Sequence, residues 1–139
     1  MKRRITGLSQ ADLDLPELAA GLYLARVTRA RYASNRGKPY FEFHFLVLAP
    51  PHVARSSFSA RLYSTPKALW KLNWFLRDFG YDADLLGSEE VDDKALVDLI
   101  GVLKISYVVV SGRSYVNLDA FAASGRWVEL SSTTAEVSL

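Results

Sequence analysis

Apolar and polar positions are most regular between Gly21 and Ala49. Along GLYLARVTRARY (Gly21 to Tyr32) they alternate, with Tyr23, Ala25 and Val27 on one face and Arg26 and Thr28 on the other. That two-residue period is the mark of a half-buried strand. ASNRGKP (Ala33 to Pro39) supplies the Ser, Asn and Gly that tolerate turn backbone angles. YFEFHFLVLA then alternates again, Phe41, Phe43, Phe45 and Val47 against Tyr40, Glu42, His44 and Leu46. A slip of one residue would expose three phenylalanines, so the register of this hairpin is expected to be fixed.

Before the hairpin, Met1 to Ala20 reads as a poorly structured lead-in in which Leu13, Leu15, Leu18 and Ala19 form a short docked turn. After it, paired prolines make Ala49 to Ser57 a loop. FSARLYS (Phe58 to Ser64) is a third strand, with Phe58, Ala60 and Leu62 inward and Ser59, Arg61 and Tyr63 outward. The period then changes to that of a helix. Thr65-Pro66 opens it, Gly80 ends it, and Leu69, Leu72, Phe75, Leu76 and Phe79 make the buried stripe. An acidic connection, Tyr81 to Asp93, leads to a short helix over KALVDLIG capped by Asp92 or Asp93. Val102 to Val110 is a β-branched strand, SGRS a turn, and Tyr115 to Phe121 the returning strand; ASGRWVEL adds a short edge and Ser131 to Leu139 a loose tail. Three strands, a helix and two strands predict a mainly β fold: a five-stranded Greek-key barrel of the oligonucleotide/oligosaccharide-binding (OB) kind, with its helix between strands 3 and 4. The domain occupies residues 21–130, flanked by the lead-in 1–20 and the tail 131–139.

Composition narrows this little. A chain of 139 residues, 50% hydrophobic and 23% charged, is expected to fold as one domain. It has no apolar run of membrane-spanning length, and no apolar core follows its basic start, so neither a span nor a secretory signal is expected. With no cysteine there is no disulfide or thiolate chemistry, which fits a cytoplasmic location. Charge changes the picture more. Residues 1–80 carry thirteen Lys/Arg against five Asp/Glu, a balance of +8, and residues 81–139 carry four against ten, a balance of −6. Such a split suggests one face made for a polyanion, the alternative being that charge clustered in sequence mixes in the fold.

Catalytic chemistry has no visible carrier. There is no GxSxG and no phosphate-binding glycine loop, and the two histidines, His44 and His52, have no triad or metal-ligand spacing. Glu89/Glu90 and Asp92/Asp93 read as solvated capping segments rather than a metal site, so neither enzyme activity nor a cofactor is expected. What remains is basic and aromatic residues interleaved on the first three strands and the turn between the first two: Arg26, Arg29, Arg31, Tyr32, Arg36, Lys38, Tyr40, His44, Arg61 and Tyr63. Binding a single strand needs cations along its backbone and flat rings under its bases, and this set supplies both. Trp70 and Trp74, one turn apart beside the helical stripe, are read as packing and left out.

GLYLARVTRARY, a glycine-containing turn and YFEFHFLV, followed by LWKLNWFLRDFG and GVLKISYVVVSGRSYVNLDAF, resemble phage and prophage OB-fold proteins of the single-stranded-DNA-binding type. The resemblance runs from about Gly21 to Phe121. It implies an OB-fold and a role with single-stranded DNA in replication, recombination or repair. The acidic recruiting tail of bacterial single-strand binders has no counterpart in SSTTAEVSL, whose one acid is Glu136. The expected partner is therefore single-stranded DNA, with RNA as a variant, and the protein is a candidate homo-oligomer. The alternative is an OB-type module for protein–protein contact or self-assembly through an exposed strand edge.

Overall fold

The computed structural model describes residues 2–4 and 18–137, with side chains as far as residue 132. Five antiparallel strands form one sheet: β1 (Gly21–Asn35), β2 (Lys38–Ala49), β3 (Ser57–Tyr63), β4 (Ile100–Val110) and β5 (Arg113–Ala123). Their order across the sheet is β3-β2-β1-β4-β5. The sheet curls until β3 and β5 approach each other, yet no backbone ladder joins them, so it is not closed. Between β3 and β4 the chain forms α1 (Leu69–Asp78), α2 (Ala83–Gly87) and α3 (Asp93–Leu96), and α4 (Trp127–Val137) is the last described element.

Alternation in β2 is as the sequence predicts. Phe43, Phe45 and Val47 are fully buried on the inner face, beside Ala60 and Leu62 of β3 and Leu103 and Ile105 of β4. α1 lies against β3 and β5 and sends Leu72, Phe75 and Leu76 into this core. The Phe75 ring sits 4.7 Å from Phe43 and 5.3 Å from Phe121, distances at which tilted aromatic pairs attract. Phe79 closes the helix end against Gly101, where a Cβ would collide with the ring.

β1 contains the feature that organises the outer surface. Val27 pairs with Phe45 but Arg29 pairs with His44, so Thr28 is an extra residue, a β-bulge. Its hydroxyl donates to the His44 carbonyl at 3.2 Å. At the same place β1 leaves β4 as its neighbour, exchanging bonds instead with the segment before it: Val27 N with Leu99 O at 2.9 Å and Asp98 N with Val27 O at 2.7 Å. The bulge inverts the side-chain phase. Before it the odd residues Tyr23, Ala25 and Val27 are buried; after it Arg29 and Arg31 point outward and Ala30 and Tyr32 lie with Phe43 and Phe41.

Several boundaries differ from the sequence expectation. The turn is not the seven residues Ala33 to Pro39. Both arms continue to a two-residue tip, Arg36-Gly37, with φ of 54° and 79°. Those are the positive values of a type I′ turn, which matches strand twist. α1 begins at Leu69, its N-cap position being Ala68 rather than Thr65, and Leu69 is half exposed rather than part of the stripe. The acidic connection contains α2, whose Asp82 carboxylate accepts from Asp84 N and Leu85 N; Asp92 caps α3 in the same way. The short edge and loose tail expected after Ala123 are instead a 3-10 turn (Ser124–Arg126) and α4. The docked turn expected at Leu13 and Leu15 lies outside the described residues, as do the last two residues of the tail.

Candidate nucleic-acid interface

Strand pairing sets the outer face of β1, β2 and β3 in three cross-strand rows. Arg29, His44 and Ser59 form the first, Arg31, Glu42 and Arg61 the second, and Ala33, Tyr40 and Tyr63 the third. Each row exists because paired residues in an antiparallel sheet share a face. In the second row Arg31 donates to Glu42 at 2.8 Å, and His44 Nε2 stands 3.7 Å from the same carboxylate. The Arg31 hydrogen bond is the main reason that the Glu42 carboxyl is held below its ordinary range. In the third row the Tyr40 and Tyr63 rings stand 5.4 Å apart, and the Arg61 guanidinium lies 4.4 Å over the Tyr40 ring. A cation over a ring at this distance is an attractive contact. A hydrogen bond with Tyr63 is the first of the causes that raise the Arg61 proton affinity.

Beyond Arg61 and Tyr63 the surface falls into a groove. One part, about 600 Å³, lies where β3 faces the β4–β5 hairpin, between Ser59, Arg61 and Tyr63 on one wall and Val108, Val110, Tyr115 and Asn117 on the other. The adjoining part, about 800 Å³, lies between the β1–β2 tip and the turn before α1, lined by Arg36, Lys38, Thr65 and Lys67. Asn35, Tyr63 and Ala68 line both, so the two parts adjoin along the groove. Among the described residues its cations are Arg36, Lys38, Arg61, Lys67 and Lys71, and Glu42 is the one acid lining it. Lys71 is partly withdrawn from solvent. Burial lowers its proton affinity, and the Asp119 carboxylate opposes that shift. Asp119 itself accepts hydrogen bonds from Ser106 and Asn117 at the groove margin.

The ten residues proposed from sequence do not stay together. Arg36, Lys38, Arg61 and Tyr63 line the groove. Tyr40 lies beneath Arg61, only 5% exposed, so its ring is a support rather than an open stacking surface. Arg29, Arg31 and His44 occupy the outer sheet face beside the groove, in the rows above. Arg26 is apart, bound to Asp98 at 2.7 Å at the β1–β4 junction. Tyr32 is on the opposite face, its ring 4.9 Å from Phe41, because the bulge inverts the phase before it. Lys67, Lys71, Tyr115 and Asn117 were missed. Lys67 and Lys71 follow β3 directly, on the approach to α1 and in its first turn, whereas Tyr115 and Asn117 are on β5 and reach β3 only because the sheet curls.

No cluster of three or more His, Cys, Asp or Glu side chains placed to hold a metal ion occurs among the described residues. No described helix is long and apolar enough to cross a membrane. Fold and surface together define a mainly β protein, a five-stranded antiparallel sheet with a basic, tyrosine-bearing groove on its outer side. No protein-family model matches the chain, and no curated protein matches it closely enough to count as a relative.

Proposed function

We propose that this protein is a non-enzymatic binder of single-stranded nucleic acid, DNA in preference to RNA, that works without strong sequence preference in replication, recombination or repair in the cytoplasm. The reading takes the curled sheet as an OB-type barrel whose open side, between β3 and β5, is the ligand side. The observation that carries it is the convergence of five cations and two tyrosines, Tyr63 and Tyr115, on one groove. The cations neutralise phosphates and release counterions; Tyr115, half exposed, offers a ring to an unpaired base. Duplex DNA keeps its bases inside and has nothing to place on that ring.

The test is fluorescence anisotropy of a labelled oligothymidylate beside a duplex of equal length, at 50 and 200 mM salt. If all five groove cations meet phosphates, the log–log salt slope is about −3.5, roughly a hundredfold loss of affinity over that range. Preference for the single strand with such a slope is the expected result. Salt-independent binding, or no binding at 50 mM, rules the reading out.

A further inference from the structure

Trp70 is 64% exposed, more than any other Phe, Tyr or Trp among the described residues. A tryptophan in water with little buried area is normally mobile, but this one is not alone. Its ring stacks on Trp74, centroids 6.2 Å apart and planes 26° from parallel. Trp74 in turn stands edge-on to Phe121 of the core at 5.3 Å and 86°. The outer ring is therefore held flat by a second ring anchored in β5, with one face still free.

The position of the pair on α1 connects it to the groove. Lys71 lines the groove, and each residue of a helix turns by about 100°, so Trp74 lies about 60° and Trp70 about 100° further round from Lys71, away from the buried stripe. Trp74 is three residues from Lys71, hence its neighbour on the helix surface. Phe121, against which Trp74 packs, is on β5 beyond Asn117 and Asp119, the margin of the same groove. Proceeding out of the groove, a ligand meets Asn117 and Lys71, then the tryptophan pair. Leu69, the other exposed apolar residue of this helix turn, is on the opposite flank and does not extend the patch.

Resting on the nucleic-acid reading above, we infer that the Trp70–Trp74 pair is the outer stacking station of the groove, and that an unpaired base leaving the channel past Lys71 lies on the free face of Trp70. Two stacked rings offer a third flat ring a continuation of the same stack. The adjacent Lys71 supplies the charge for the phosphate of that nucleotide, which an apolar protein segment has no use for. A base of any identity has the necessary face, so the station adds affinity without adding sequence preference.

The experiment uses the full chain, Trp70→Ala and Trp70→Phe, with oligothymidylate and an abasic oligomer of equal phosphate number at one salt concentration. Trp70→Ala is expected to weaken oligothymidylate binding roughly five- to 150-fold and to leave abasic binding unchanged; Trp70→Phe recovers most of the loss. Oligothymidylate, and not the abasic oligomer, quenches tryptophan fluorescence in the natural protein, and most of that quenching is absent in Trp70→Phe. Equal affinity of Trp70→Ala and the natural protein for oligothymidylate overturns this inference and leaves the groove reading standing. Failure of the natural protein to bind either oligomer overturns both. Self-association that disappears in Trp70→Ala, without any effect on oligonucleotide affinity, assigns the pair to a protein contact and overturns it as well.

Discussion

Glu42 gives the sharpest test of how the outer face works, because among the described residues it is the one carboxylate lining a basic groove. It sits between Arg31, which donates to it at 2.8 Å, and Arg61, its partner across the β2–β3 pair. Strands are about 4.8 Å apart, so a phosphate resting on Arg61 would stand on the order of 7 Å from the Glu42 carboxylate. At an effective dielectric constant between about 20 and 80, two like charges at that distance repel by roughly 0.6–2.4 kcal/mol. Glu42→Gln keeps the side-chain shape, removes that repulsion and frees the Arg31 guanidinium. Affinity for oligothymidylate at 50 mM salt is therefore expected to rise about three- to fiftyfold, with a steeper salt slope by about 0.7 if Arg31 gains a phosphate. Anisotropy measures both, and circular dichroism establishes that the variant is folded. A folded Glu42→Gln protein that binds no tighter would mean that phosphates do not pass this row, and the placement of the ligand would have to be abandoned.

Three further outcomes are expected. Arg36 holds φ of 54° in the tip, a left-handed conformation that suits Asn far better than Arg. Arg36→Asn should raise the melting temperature, by an amount equivalent to about 0.5–1 kcal/mol, while weakening oligonucleotide binding; a stabilised variant with full affinity would show that this arginine has no part in the groove. The Glu42 carboxyl titrates below the ordinary glutamate value of 4.5, chiefly because Arg31 hydrogen-bonds its charged form. Its stabilising effect is thus complete above pH 4.5 and lost as pH falls through the lowered folded value. The melting-temperature gap between the natural protein and Glu42→Gln should shrink over that acid window, and a gap constant from pH 7 to 3 would contradict the assignment. Gly101→Ala drives a methyl group into the buried Phe79 ring and should cost about 1–3 kcal/mol in urea unfolding; an unchanged midpoint would mean that the core at this helix end is loosely packed.

Much of the fold is legible in the sequence because two strong periods are written into it. The alternation of Phe41, Phe43 and Phe45 in β2, continued by Ala60 and Leu62 in β3, fixes which face is inner, and the Leu72–Phe75–Leu76–Phe79 stripe fixes α1. What was not legible has physical causes. Thr28 carries no glycine or proline to mark a bulge, so a strict two-residue period puts Arg29 and Arg31 with Val27, whereas they stand outside. α4 continues from WVEL into SSTTAEV, where β-branched and hydroxyl side chains are poor helix formers and no strong apolar stripe competes with that preference. The groove is the least legible part. Lys67 and Lys71 come from the approach to α1 and from α1 itself, outside the strands. Tyr115 and Asn117 come from β5, which no local pattern predicts that curl will set beside Arg61 and Tyr63. Grouping basic and aromatic residues by strand found four of the lining residues and included Tyr32 and Arg26, which bulge phase and strand position take elsewhere.

The open seam between β3 and β5 has a mechanical meaning. In a sheet closed by a continuous ladder, widening any inter-strand channel breaks backbone hydrogen bonds. Here no ladder crosses the groove, so its walls move apart at the cost of side-chain contacts alone. The seam is the compliant line of an otherwise stiff shell. Amides of β3 and β5 that face it are expected to exchange with solvent faster than those of the β1–β2 ladder, and occupation of the groove is expected to slow them. On the proposed nucleic-acid reading, a channel that adjusts its width without unzipping anything would accept large and small bases on nearly equal terms.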